Sequence, residues 1–132
     1  SMFDRWVEDG LLNTLEKNDV GCIAFSPLAQ GMLTDKYLKG IPKNSRAGGD
    51  SIFLNADTVH STIEKVQLLD AIAQKRGQKL SQMAISWILR QPQVASVLIG
   101  ASSTNQLLEN MKSLEKLDFT EEELRLIGDI VS

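Results

Sequence analysis

Ser96-Val97-Leu98-Ile99-Gly100-Ala101-Ser102-Ser103-Thr104-Asn105-Gln106-Leu107-Leu108-Glu109-Asn110 decides how this chain is read. The apolar triplet at 97–99 predicts a short buried strand, Gly100 a turn, and Ser103 the start of a helix. A strand that turns this tightly into a helix leaves the first helical N–H groups unpaired and aimed at one spot. With the positive end of the helix dipole, those donors suit a phosphate. Gly100 permits close backbone approach, and Ala101-Ser102-Ser103-Thr104 sets hydroxyls at the rim. The same residues have a plainer reading, because Ser103-x-x-Gln106 fits a capping box that needs no ligand. The choice between the two rests on the remainder of the chain.

At 132 residues the chain holds enough for one domain and its core. An apolar share of 42% with 23% charged residues is that of an ordinary globular protein. A net charge of −3 gives no general attraction to nucleic acid or to an anionic membrane. No run reaches membrane-spanning length, and Asp4, Arg5, Glu8 and Asp9 are unlike a signal peptide. Cys22 is the single cysteine and His60 the single histidine, so the chain can build neither an internal disulfide nor a Cys/His metal cluster. These features predict a cytoplasmic, metal-free protein with neither nucleic acid nor membrane as partner.

The segment 1–7 starts without a tail or a cap, as if cut into mid-domain. Leu11, Leu12 and Leu15 then fall at helical spacing, and the helix ends at Asn18-Asp19. Val20-Gly21-Cys22-Ile23-Ala24-Phe25 predicts a strand buried on both faces, with Cys22 an inert small hydrophobe. It stops at Ser26-Pro27, since Pro27 lacks the N–H of a central strand. Residues 28–37 read as irregular or a short helical turn. Residues 38–51, rich in glycine, proline and asparagine, read as a long loop of the lid or binding kind.

Val59, Ile63, Val66, Leu68, Leu69, Ile72 and Ala73 mark an amphipathic helix closed by Arg76-Gly77. His60, beside Ser61-Thr62 at its start, reads as a surface or capping residue. A second helix is expected from Ser81 as N-cap, with Leu80 and Ile85 as hydrophobic staple and Gln91-Pro92 as its end. Thr120-x-x-Glu123, flanked by Phe119 and Leu124, supplies a capping box and staple for a terminal helix. Two apolar strands separated by helices predict an α/β fold of parallel β/α units. Two strands alone leave both edges open and cannot bury a sheet.

Phe25-Ser26-Pro27-Leu28-Ala29-Gln30-Gly31, then Lys36-Tyr37, then Gly40-Ile41-Pro42-x-x-Ser45-Arg46 resemble the aldo/keto reductase family. Val97-Leu98-Ile99-Gly100-Ala101-Ser102 with Gln106-x-x-Glu109-Asn110 extends the likeness across the chain. It is strongest to the branch that holds bacterial glyceraldehyde 3-phosphate reductases and potassium-channel β subunits. The resemblance implies the C-terminal part of a (β/α)8 TIM barrel. The chain would carry about the seventh and eighth units plus a terminal helix, with residues 1–3 as the tail of the sixth strand. Such a part is incomplete on its own, because a whole barrel takes roughly 250 residues or more.

The resemblance also implies NADP(H), bound in an extended pose without a Rossmann domain, and the chain has no Gly-x-Gly-x-x-Gly after a strand. By it, Phe25, Ser26, Pro27, Leu28, Ala29 and Gln30 run along the nicotinamide ribose and pyrophosphate. Lys36 neutralises phosphate charge, and Arg46 reaches over the cofactor. Gly100, Ser102 and Gln106 meet the adenosine 2′-phosphate, with Glu109 and Asn110 on the adenine. A tyrosine that some relatives carry in the loop is Asn44 here, so that stacking contact is not supplied. Each residue has an ordinary alternative: Phe25 in a core, Lys36, Arg46 and Glu109 as solvated charges. Jointly, and in family order, the cofactor reading is preferred.

The family's reaction is hydride transfer to a small carbonyl substrate, with a tyrosine acid tuned by an aspartate, a lysine and a histidine. The resemblance puts all four upstream of Ser1, in the N-terminal half-barrel that would be this chain's partner. Tyr37, the sole tyrosine, does not match the catalytic position, so no residue here is expected to be catalytic. Two alternatives stand beside the reductase part. One is an NADP(H)-sensing subunit of the channel β type, and the other is a half-barrel that forms a homo-oligomer across its open edges.

Overall fold

The computed structural model describes residues 1–38 and 56–132. Arg46 and the predicted long loop at 38–51 lie, except for Leu38, outside the described residues. Among the described residues, seven regular elements follow in order: α1 (Leu11–Lys17), β1 (Cys22–Ala24), α2 (Ala56–Lys75), α3 (Leu80–Leu89), β2 (Val94–Val97), α4 (Thr104–Met111) and α5 (Glu121–Val131). Short 3-10 turns interleave, among them Ala29–Gly31 and Asp35–Tyr37 in the segment read as irregular.

The two strands pair in parallel, Cys22 with Val94, Ile23 with Ser96 and Ala24 with Val97, with a bulge between Cys22 and Ile23. Residues 1–3 add no strand. They form a turn in which Asp4 N donates to Ser1 O at 3.2 Å, and Met2 drops fully buried into the core.

The second strand lies earlier than its apolar triplet suggests. The ladder closes where Leu98 N donates to Ala24 O at 2.8 Å, and β1 then turns away at Ser26, whose φ is +51°. Leu98 and Ile99 are therefore left without a partner strand, while polar Ser96 pairs with Ile23 and small Ala95 is the extra residue at the bulge. Gly21 allows this approach: a Cβ there would lie 3.3 Å from Ala95 Cβ.

Burial on both strand faces is not what the structure shows. Ala24, Val94 and Val97 pack on the helical core, whereas Ile23 and Phe25 are 62% and 76% exposed. Cys22 is half-buried rather than enclosed. Alternation along β1 turns one face to the helices and leaves the other open.

The core sits between α2, α3 and α5. Val66, Leu69, Ile72 and Ala73 meet Leu80, Met83, Ala84, Trp87, Ile88 and Ile127, with Met2 and Leu33 closing the ends. Leu68, expected on the apolar face of α2, is exposed. The helix ends in a full Schellman motif: Gly77 at φ +72°, Gln78 N donating to Ala73 O, and Gly77 N to Gln74 O. His60 falls inside α2 rather than at its start, because that helix begins at Ala56.

The N-cap of α3 is Lys79 rather than Ser81. Gln82 Oε1 accepts from Lys79 N at 2.9 Å and fixes the first turn two residues early. Leu80 is thus the first helical residue, fully buried, and not the residue before a cap. The α5 capping box forms as expected, with Thr120 N donating to Glu123 Oε2 at 2.8 Å and Glu123 N to Thr120 Oγ1 at 3.2 Å. Arg76, almost wholly buried, pairs with that same Glu123, donates to Asp118 O, and stacks on Phe119. This bonding fastens α5 to the end of α2.

Candidate functional site

The carboxyl ends of both strands open onto one cleft of about 1000 Å³. Its first wall is the chain leaving β1: Ser26, Pro27, Leu28 and Gln30, continuing to Lys36. The facing wall is the exit of β2 and the start of α4, from Leu98 through Gly100 and Ser102 to Gln106, then Glu109 and Asn110. Lys79 and Ser81, at the start of α3, join the two. Ligand sites of β/α folds lie at this end of the strands, where the loops leave the sheet.

Ten of the thirteen residues singled out from the sequence therefore line one cleft: Ser26, Pro27, Leu28, Gln30, Lys36, Gly100, Ser102, Gln106, Glu109 and Asn110. Phe25 and Ala29 are off the lining. Phe25 stands open to solvent, and Ala29 packs against the core. Arg46 lies outside the described residues. Lys79, Ser81, Thr34 and Asp35 were not singled out and line the cleft as well. Lys79 precedes a strongly apolar helix, but its approach to Glu109, thirty positions on, is tertiary and leaves no local pattern.

The wall after β1 is conformationally unusual. Ser26, Ala29 and Gln30 all have left-handed φ, at +51°, +47° and +57°, without being glycine. Such residues carry a steric cost and collect at ligand-binding turns. Gly31 follows at φ +96°, and Thr34 Oγ1 ties the turn by donating to Gly31 O at 2.6 Å.

The opposite wall is a helix start with donors to spare. Ser103 Oγ accepts from Gln106 N at 3.2 Å. The other half of the expected capping box is displaced by one residue: Gln106 Oε1 accepts from Ser102 N and Ser102 Oγ, each at 2.9 Å. The Gln106 side chain thus locks the turn between Gly100 and the helix. Among the described residues, the backbone N–H groups of Thr104 and Asn105 have no protein acceptor. They point to the helix N-terminal end, where anions are favoured.

Deeper in, Asn110 is 8% exposed, and among the described residues its side-chain amide has no hydrogen-bond partner. An unpaired buried amide is costly, and it lines the cleft. Beside it, Glu109 accepts from Lys79 Nζ on one carboxylate oxygen and from Lys112 Nζ on the other, both at 2.6 Å. The bond from Lys112 first, then that from Lys79, holds the Glu109 carboxyl down to about 2.

The lining thus offers amides, hydroxyls, Lys36, Lys79 and an unsatisfied carboxamide, against Asp35 and Glu109. That donor set fits a phosphorylated nucleotide: helix-end N–H groups and cations for phosphate, carboxylate and carboxamide for a base edge. Among the described residues, no group of three or more His, Cys, Asp or Glu could hold a metal ion. No described helix is long and apolar enough to cross a membrane.

The aldo/keto reductase family model matches residues 1–132, and the chain belongs to that family. It is 47% identical to L-glyceraldehyde 3-phosphate reductase of Escherichia coli (strain K12), over the whole of this chain and 40% of that protein. It is 40% identical to a probable voltage-gated potassium channel subunit beta of Oryza sativa, over 87% of this chain and 36% of that one. Among solved structures, glycerol dehydrogenase from Gluconobacter oxydans matches with a TM-score of 0.78 at 26% identity, covering 98% of this chain and 39% of the other. A thermostable aldo-keto reductase solved with the inhibitor epalrestat matches at 0.66 and 26%, over 98% and 36%. The chain spans about 40% of the length of the Escherichia coli relatives it matches. Its fold is part of a (β/α)8 barrel, and the open sheet face is the one a closed barrel turns inward.

Proposed function

We propose that this chain grips the adenosine phosphate end of NADP(H) within an aldo/keto reductase that reduces aldehydes or ketones. The observation that carries this reading is the cleft, where two strand exits bring helix-end amides, two lysines and the Asn110 side-chain amide, without a partner among the described residues, to one lining. When bound, the nicotinamide supplies hydride to the carbonyl carbon. The residues of this chain bind and orient. The Thr104 and Asn105 amides serve the 2′-phosphate, with Gln106 holding the Ser102 turn that presents them. Lys36 offsets pyrophosphate charge, and the strained turn at Ser26–Gln30 follows the ribose. Glu109 accepts from the exocyclic amino group of adenine while Asn110 donates to a ring nitrogen. Tyr37, the single tyrosine, lies in the Lys36-Tyr37 turn and is assigned no part in proton transfer.

Calorimetric titration with NADPH and NADH tests the reading. Tighter binding of NADPH, by about a hundredfold for two charge-assisted bonds to the extra phosphate at about 1.5 kcal/mol each, is expected. Equal affinities contradict the assignment of the α4 start to that phosphate. The purified 132-residue chain alone is expected to bind weakly and to reduce no aldehyde, and any turnover free of host reductases contradicts that.

A further inference from the structure

Lys79 stands outside the set of residues that the family likeness singles out, yet it is tied to Glu109 twice. The backbone tie runs through Gln82, which is buried at 6% exposure. Its Oε1 accepts from Lys79 N and its Nε2 donates to Glu109 O, each at 2.9 Å. One buried amide therefore fixes the distance between the start of α3 and the last turn of α4. The side-chain tie is the 2.6 Å pair between Lys79 Nζ and Glu109. An exposed ion pair between unconnected surfaces contributes little, because two long side chains must be ordered to make it. Here part of that ordering is already supplied by Gln82.

The two lysines on Glu109 differ in place. Lys112, three residues on, caps the end of α4 and is absent from the cleft lining, whereas Lys79 caps the start of α3 and lines the cleft. Freed of Lys79, the carboxylate keeps its partner on its own helix and loses the one on the cleft side. A carboxylate has about four acceptor positions, so two lysines still leave capacity for a ligand donor.

We propose that Lys79 is a positioning residue for the base end of the cleft: it holds the Glu109 carboxylate where it accepts an exocyclic amino group of a purine. The proposal rests on the NADP(H) reading above and deepens it. It makes the Lys79–Glu109 pair the determinant of base selectivity, acting beside the Asn110 carboxamide.

The test compares NADPH with its deamino analogue, in which hypoxanthine replaces adenine, on the protein and three variants. The unaltered protein favours the amino-bearing nucleotide. Lys79→Met narrows that preference by about two- to fivefold, the range of a single ion pair, and Lys79→Arg restores it. Lys112→Met leaves it in place, although it removes the same charge from the same carboxylate. In parallel, carbon NMR of the Glu109 carboxyl follows the pair without any nucleotide, and Lys79→Met moves its titration upward from about 2. An unchanged preference in Lys79→Met with both nucleotides still bound overturns the proposal and leaves the NADP(H) reading standing. An unmoved Glu109 titration overturns it too. Failure of the unaltered protein to bind either nucleotide overturns both.

Discussion

Gln106 shows how a single side chain serves two ends. Its carbonyl oxygen takes both the amide and the hydroxyl of Ser102, so it holds the turn that presents the α4 amides. Gln106→Ala removes two hydrogen bonds, each contributing about 1 kcal/mol. NADPH affinity should fall about tenfold and NADH affinity less, and calorimetry with both nucleotides checks this. Glu109 makes a second residue-scale prediction. Its folded value of about 2 lies below the ordinary 4.5, so its pairing with Lys112 and Lys79 is complete above about 4.5 and is lost as the pH falls toward 2. A carboxyl carbon titration should show Glu109 still ionised at pH 3.5, and a midpoint near 4.5 contradicts the pairing. At this scale the sequence is informative for groups set by local spacing, such as Ser103 capping Gln106 N, but not for the return bond, which Gln106 makes to Ser102. It was silent on Lys79, whose partner comes from another helix.

Helix ends carry much of the element-scale order. Gly77 closes α2 in a left-handed conformation, with nothing within 4 Å of where a Cβ would sit. The cost of Gly77→Ala is thus conformational rather than steric contact, about 1–2 kcal/mol, and chemical denaturation measures it. Thr120→Ala removes a formed cap and should destabilise by about 1 kcal/mol. Both ends could be read from sequence because glycine after a periodic run, and Thr-x-x-Glu before one, each have a local cause. The start of α3 could not. Ser81 has the better capping side chain, but Gln82 bonds the Lys79 amide and the apolar face demands Leu80. The β2 boundary was misplaced for a related reason: the apolar triplet pointed to 97–99, while pairing with β1 is set by the neighbouring strand.

For the whole molecule, the core between α2, α3 and α5 is well buried and one face of the sheet is not. Leu69, fully buried between α2 and its neighbours, should cost about 2–5 kcal/mol when cut to alanine. By contrast Ile23, Phe25 and Leu98 stand exposed at the sheet and its exit, on a fold that is part of a barrel. The order of helices and strands was legible in the sequence because apolar periodicity changes from helix to strand. The exposure of one sheet face was not, because apolar strands read as buried whatever covers them. The claim on which the account depends is that the chain leaving β1 and the start of α4 form one nucleotide site. Amide chemical shifts of the protein, followed during titration with NADPH, test it most directly. The account predicts that Ser26, Leu28 to Gln30, Gly100 to Gln106 and Asn110 shift together along one binding curve. Shifts at only one of the two walls, or none at either, contradict it.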